Sequence, residues 1–562
     1  MPYTKGDVSA SEILTDDDHI YPSHVDELRR GTSFNAIVVG KDKEYDTVYD
    51  ALATLPAGGG VVVIEAGYAC QETQPIVIGQ DDITIIIESG AEWKAGDDDD
   101  DYTSFVDAQG STWKIFVYNN EYDNFNLINR GVININEGAQ GVVVRNSENS
   151  HYNGYGGLIK DGHDGIIYVD VDRCTVRGLY VSACTGGAFG AEGMQYSRIY
   201  DVVGFADGET LDDVVDFNAY CRYNEVVNVT GYNMVEEIVD INASPDNTFR
   251  NIRAFGTIPR RILNMTDTSG TRLTTRTPLT NSSNNKIIGV YGQASLEAIK
   301  IYGVAKNVSI TEFIVGSTSD SLSVIYAISA TGDNDGLTLR GMITNGVYTG
   351  LKILANSGAN TNINLDLQIA GVTAGWAANI DYCNNLSGKI TVESCSSGII
   401  IGSNCNYANM ALIARACTYD GIELGTQFSN FNIVSRRNNI GLELKNSNIT
   451  VRGLSEGNTT NDLVTTSTAT SIDVDNLVYD SSSIDGSTTY SKVNRGSASV
   501  SDTDTITHKL DTTPTYVNLT TSVDKHIVVA TAISATTITV GLHDDAGNAI
   551  GSNETVYWEA KV

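Results

Sequence analysis

Between Leu211 and Ile252 the chain says one phrase twice. Asp213-Val214-Val215-Asp216-Phe217-Asn218 is followed 24 residues later by Glu237-Ile238-Val239-Asp240-Ile241-Asn242. Each copy runs on into a second short strand, Asn224–Val229 and Asn247–Ile252. Self-similarity at such a period is the mark of a solenoid, in which each repeat buries its apolar face only by stacking on its neighbours. If the copies stack, Asp216 lies beside Asp240, about 4.8 Å away across a strand ladder. Two like charges at that spacing need a physical reason, and function is sought there.

The repeat extends well beyond this stretch. Short strands begin near Asn149, Cys174, Ser197, Asn224, Asn247, Asn285 and Asn307, in steps of 25, 23, 27, 23, 38 and 22 residues. Later turns carry Gly398-Ile399-Ile400-Ile401, Gly421-Ile422-Glu423-Leu424 and Gly441-Leu442-Glu443-Leu444. A glycine before a small apolar strand suits a sharp corner. Asparagines recurring at one point of each turn predict amide ladders bonded from rung to rung. Cys383 and Cys405 are 22 residues apart, as are Cys395 and Cys417, which predicts stacked buried thiols rather than bridges. No cysteine pair has the close spacing of a metal site.

A chain of 562 residues with 41% apolar content can bury a large core. Its 36 basic residues against 69 acidic ones give a net charge of -33, which argues against a nucleic-acid partner. There is no apolar run long enough for a membrane span. The first residues, Met1-Pro2-Tyr3-Thr4-Lys5-Gly6-Asp7, lack the apolar core of a secretory signal. An extracellular location is therefore expected by another route, such as virion assembly followed by lysis. The five aspartates Asp97–Asp101 read as a solvated loop.

Three segments carry a resemblance, two of them in the first hundred residues. Glu44 to Pro56 reads as an amphipathic helix ended by proline, Ala57-Gly58-Gly59-Gly60 as a turn, and Val61-Val62-Val63-Ile64 as a buried strand. Glu65-Ala66-Gly67-Tyr68, Pro75–Ile78 and Ile83–Ala91 follow. This order resembles the opening of the pectate-lyase-like superfamily, in which a helix caps a right-handed parallel β-helix. Ala66 stands where that family usually has a proline nearby. The superfamily holds lyases, hydrolases, epimerases and binders, so the likeness implies a fold and no single activity. Upstream, Asp16 to Arg30, with Asp26-Glu27-Leu28-Arg29, resembles the short helical stretch near the start of phage tail-fibre and tailspike proteins. That implies an adaptor over 1–43 and contacts with other virion tail proteins, while the C-terminal resemblance given below implies a domain that trimerises or binds sugar, and so a homotrimer.

The implied architecture is all-β: an adaptor (1–43), a parallel β-helix (44–490) with its capping helix at 44–56, and a small β-sandwich (491–562). In the last segment Ile506–Leu510, Thr515–Leu519, Thr537–Val540 and Val556–Ala560 alternate as half-buried strands. This part resembles the C-terminal domain of tail-fibre-type proteins, where His508 falls in the pattern and reads as structural.

Strand alternation turns Val215 and Phe217 inward, so Asp216 and Asn218 point outward, and Asp240 and Asn242 follow one rung later. Beyond an insert, Glu297–Tyr302 extends the columns with Lys300 and Tyr302, and Gly165–Asp170 extends them backward with Tyr168. Asp213 and Glu237 head the two copies. The candidate catalytic residues are thus Asp216, Asp240, Asp213, Glu237 and Lys300. The insert between Ile252 and Asn285 is about 15 residues longer than its neighbours and holds Arg260, Arg261, Arg272 and Arg276. Arginine forks suit carboxylate or sulfate groups. With Asn218, Asn242, Tyr302 and Tyr168 they form the candidate substrate-binding set, for a polysaccharide expected to be acidic. The rival for the loop is packing against the protein's own acidic surface.

Three mechanisms fit. In a hydrolase one carboxyl is the acid and its neighbour the base or nucleophile. In a lyase the acidic cluster holds Ca²⁺ while Lys300, Tyr302 or an arginine removes a proton. In a binder the same groups only hydrogen-bond hydroxyls. No cofactor is required by the hydrolase and binder readings. The Asn-Thr-Asp, Gly-His-Gly and Arg-x-Lys series of polygalacturonases is missing. Gly162-His163-Asp164-Gly165 resembles only part of it and reads as a turn.

Overall fold

The computed structural model describes residues 36–561 except 108–109, 137–138, 207–210, 258, 268–273, 278, 280, 304–305, 330–334, 356–357, 447, 466–476, 480–483, 487–492 and 509–512. The adaptor helix expected within 16–30 lies outside these residues, as does Arg272. The chain divides into two compact units, 1–300 and 301–562. Among the described residues no helix is long and apolar enough to cross a membrane.

In the first unit successive strands stack in parallel as a β-solenoid. One sheet runs through Ala36–Val39, Gly60–Ile64, Ile83–Ile87, Asn126–Asn129, His151–Asn153, Thr175–Ser182, Arg198–Phe205, Glu225–Tyr232, Thr248–Phe255 and Lys286–Ala294. A second runs through Thr112–Asn120, Gln140–Arg145, Ile166–Val169, Phe189–Glu192, Val215–Asn218, Glu237–Asn242 and Arg261–Thr266. The early turns have a third, short sheet that ends with Leu158–Lys160 against Thr175–Ser182. From there on each long strand bends at a left-handed residue: Gly178, Asp201, Asn228, Asn251 and Gly289. Glycine and asparagine adopt that conformation at least cost, which is why they recur at the bend.

The inward residues form a continuous core. Phe189, Phe217 and Phe249 meet in a tilted chain of rings, 6.5 and 5.3 Å between centroids. Tyr168 joins it edge-on to Phe189 and is fully buried. Its register partners are Ala191 and, one rung further, Phe217. The expectation that Tyr168 faces the substrate is thus corrected: the outward residues of its strand are Ile167 and Val169, which lie under the Thr103–Val106 and Thr112–Asn120 hairpin.

The expected ladder exists at Asn224, Asn247 and Asn285. Asn247 Oδ1 accepts from the side chain and backbone N–H of Asn224, and Asn285 Oδ1 from the backbone of Asn247. All eight cysteines are buried and unbridged. The capping helix is shorter than expected, Val48–Leu52 rather than 44–56. Thr47 caps it, and the buried Glu72 carboxylate accepts from the N–H groups of Val48 and Tyr49, which fixes its start.

In the second unit two parallel ladders continue the same plan, and Ile399, Ile422 and Leu442 align as the glycine-led phrases predict. Its last part holds two three-stranded antiparallel sheets, Val493–Val500 with Glu554–Lys561 and Tyr516–Thr521, and Thr505–Thr507 with Thr537–His543 and Ile527–Ile533. Ile506, Ile538, Val540, Leu542, Val556 and Trp558 pack between them. His508 is buried there with Nε2 3.0 Å from the Ser534 carbonyl, a structural place.

Candidate functional site

Three columns on the outer face of the second sheet build the site. Register aligns Ile167, Gly190, Asp216, Asp240 and Asn264. Two residues along each strand stand Val169, Glu192, Asn218, Asn242 and Thr266. At the corner before each strand Asp164, Gly187, Asp213, Glu237 and Arg261 follow one another. Asp216 is thus paired with Asp240, and Asn218 with Asn242, as alternation predicted.

Asp213, Asp216 and Asp240 each bring one carboxylate oxygen within 4.8 Å of the others. They are not equivalent. Asp240 accepts from Asn242 at 2.8 Å and from Asn264 at 2.9 Å. Asp216 accepts from Asn218 through one oxygen, while its Oδ1 and the Oδ1 of Asp213 are buried and have no hydrogen-bond partner. Burial, and then the neighbouring carboxylates Asp216 and Asp240, push the Asp213 carboxyl well above the usual range. Burial, then Asp240 and Glu192, do the same to Asp216. Burial also raises Asp240, but the two amide donors pull it back. The physical consequence is a division of labour: Asp240 is the member best able to hold a negative charge, and Asp213 and Asp216 are the members that keep a proton.

Beside Asp213 and Asp216 opens a cleft of about 600 Å³. Its floor is the rung that carries glycine at the corner and in the first sheet column, Gly186, Gly187 and Gly190, with Glu192 in the second column. Below that rung stand His163 and Asp164, with His163 Nδ1 2.7 Å from the Asp164 carboxylate. Asp164 also accepts from the Gly187 N–H. Glu192 and Asp212 complete the acidic lining, and Trp113, Lys114 and Gln140 form the opposite wall.

His163, Asp164 and Trp113 were missed as site residues. The Gly162–Gly165 phrase looks like a turn and is one, but its side chains reach over Gly186: a Cβ there would lie 2.5 Å from His163 Nδ1 and 2.6 Å from Asp164 Oδ1. The available signal was spacing, since His163-Asp164 precede Gly186-Gly187 by one period.

The remaining expected residues lie elsewhere. Lys300 is not next after Asp240. The insert contains a further rung, Arg261–Thr266, so Asn264 takes that place, and the bond from Leu263 N to Ala298 O sets Lys300 beyond it. Burial, then Arg261, lowers the Lys300 pKa. Arg261 is 6% exposed and bridges Glu237 at 2.7 Å and Glu297 at 3.0 Å. That holds Glu237 in a buried ion cluster. Arg260 pairs with Glu236 at 2.6 Å. Arg276 forks onto Asp172 at 3.1 and 3.2 Å, while Asp170 accepts from Thr275 N at 2.7 Å and Thr275 Oγ1 at 2.8 Å. Thr274 N donates to Glu192 at 2.9 Å. These arginines therefore bind the protein's own acidic surface, and the segment Thr274–Arg276 lies along the edge of the cleft at Glu192. Tyr302 belongs to the second unit.

No protein-family model and no curated protein matches the chain. Among solved structures it is similar to the family 28 exopolygalacturonase of Yersinia enterocolitica, at 11% identity over 70% of this chain and 78% of that one, TM-score 0.39. It is also similar to the tailspike protein of E. coli bacteriophage HK620 in complex with a pentasaccharide, at 11% identity over 92% and 89%, TM-score 0.32. A third is the tailspike gp49 of Pseudomonas phage LKA1, at 11% identity over 91% of each chain, TM-score 0.28. The strand ladders themselves define the fold.

Proposed function

We propose that the chain is a polysaccharide hydrolase acting on an extracellular or cell-surface glycan. One observation carries the reading: within a single carboxyl cluster at a cleft, Asp240 accepts from two amides, while Asp213 and Asp216 each keep a buried oxygen with no hydrogen-bond partner and are pushed furthest toward the protonated form by burial and the neighbouring carboxylates. A carboxylic acid that keeps its proton near neutral pH is what a glycosidic oxygen needs in order to leave. Asp216, on the cleft wall, donates that proton. Asp213, which lines the cleft within 4.8 Å of Asp240, takes the proton of the attacking water and passes one on to that partner, so one proton enters the cluster for each one that leaves.

The same oxygens are a donor set that a hard cation such as Ca²⁺ can use, with Asp213, Asp216 and Asp240 as its ligands. In that setting the three carboxylates would hold the cation, which would neutralise the carboxylate of a uronate for a lyase. The lyase reading is weaker because Lys300, its proposed base, is separated from the cluster by Asn264. Reducing-end release without new ultraviolet absorbance, unchanged by a chelator, supports the hydrolase. Absorbance from a new C=C bond that the chelator abolishes supports the lyase, and neither signal on a broad panel leaves a binder. Placement on a virion tail as a homotrimer belongs to the same proposal and is checked by sedimentation of the chain and by labelling of purified particles.

A further inference from the structure

The geometry points to an uncharged polysaccharide as the occupant of the cleft: a chain of hexose or N-acetylhexosamine units without uronate, sulfate or phosphate. This rests on the hydrolase reading of the same cleft and names its substrate class. The lining holds five carboxyl groups, Asp164, Glu192, Asp212, Asp213 and Asp216, against Lys114 and His163. His163 is itself bonded to Asp164. The arginines that would have matched an acidic chain are committed, Arg260 to Glu236, Arg261 to Glu237 and Glu297, and Arg276 to Asp170 and Asp172.

An incoming anion would meet these five carboxyl groups gathered around one cleft, and like charges brought together in a partly desolvated site oppose binding strongly. Sugar hydroxyls meet no such penalty. They can donate to Glu192 and Asp164 and accept from Lys114 and the Gln140 amide, which line the same cleft. The side-chain-free floor of Gly186, Gly187 and Gly190 leaves depth for a ring. Trp113, whose Nε1 is occupied by Asp107 at 3.0 Å, offers its apolar body at the wall for the C–H face of a sugar.

The test separates charge from every other variable. Polygalacturonate, alginate and hyaluronan are each paired with their carboxyl-reduced forms, beside dextran, galactomannan and N-acetylated chitooligosaccharides. Binding is measured by calorimetry to Asp240→Asn, whose substituted residue lies outside the cleft lining, and again on the unmodified protein, which keeps all three carboxyls, with Ca²⁺ and with a chelator. The reduced member of every pair that binds should be at least about tenfold tighter, whether or not Ca²⁺ is present. Equal or tighter binding of an acidic member, Ca²⁺-dependent capture of polyuronate, or no binding to any uncharged chain would overturn the inference. Reducing-end release by the unmodified protein is read separately. Uncharged chains bound by Asp240→Asn but never cut sink the hydrolase and leave the substrate class standing. Cleavage of polyuronate does the reverse.

Discussion

Asp216 and Asp240 share one ladder step, yet replacing them has different physical effects. Asp216→Asn removes the proton donor, and Asp240→Asn removes the charge that drives the donor's proton affinity. Both should lower turnover by about 10²–10⁴-fold, with the circular dichroism of the solenoid unchanged; full activity in either variant refutes the assignment. The pH dependence has a definite sign. The folded-state pKa values of Asp213, Asp216 and Asp240 lie above those of the unfolded chain, so the folded state binds more protons in that window. The contribution of these three carboxyls to stability is therefore fully present below the usual carboxylate range and is lost as pH rises through the raised values. The thermal midpoint of Asp216→Asn should fall less steeply with pH than that of the unmodified protein. A parallel pH profile would show that Asp216 is not perturbed. The sequence made this pair legible because outward alternation and a 24-residue period fix register without any structure. It did not make Asp213's role legible in detail, because corner residues have no alternation to place them; their neighbours follow only from the backbone path.

At the scale of the element, the insert and the glycine rung are where alternation misleads. Arg261–Thr266 hides a strand inside a stretch whose charge suggests a loop, and the buried pairing of Arg261 with two glutamates explains how a cation fits there. The same stretch then sends Thr274–Arg276 back across roughly a hundred residues of sequence to Asp170 and Asp172. Asp170→Ala removes the acceptor of the Thr274 hydroxyl and of the Thr275 N–H and hydroxyl, bonds to a charged group worth about 1.5–3 kcal/mol each. Trypsin should then cut after Arg276 at least about tenfold faster than in the unmodified protein; an unchanged rate means that the segment is held by other contacts. The glycine rung allows a cleaner probe of the cleft. A Cβ on Gly190 would meet only Ile167 Cγ1, at an ordinary 3.7 Å. Gly190→Leu should keep the solenoid's thermal midpoint within a few degrees, about the scale of a tolerated surface change, while filling the cleft beside Asp216 and abolishing glycan binding. Retained binding would place the ligand elsewhere.

Over whole units, the solenoid has no covalent clamp. Its eight thiols are free and buried, and burial pushes Cys174, Cys184 and Cys417 up to about 12. Almost no thiolate is present at neutral pH, so Ellman's reagent should find less than one reactive thiol in the native chain and eight in denaturant. What lies between those limits reports how the rungs hold together. In a stacked repeat, stability is a sum of repeat terms and nearest-neighbour terms, and weak coupling lets single repeats open alone. Here coupling is strong within each unit: phenylalanine rings and asparagine amides link one rung to the next in the first, and in the second the Cys405 thiol donates to the Ile380 carbonyl one turn back. Cys70, Cys174, Cys184 and Cys221 should accordingly become reactive as one set along a denaturant series, as should Cys383, Cys395, Cys405 and Cys417. Mass spectrometry of pulse-labelled peptides reads each thiol separately. Labelling of Cys70 well before Cys221, or of Cys417 well before Cys383, would mean that rungs melt from an end, and that the amide and aromatic ladders align the strands without making their unfolding cooperative.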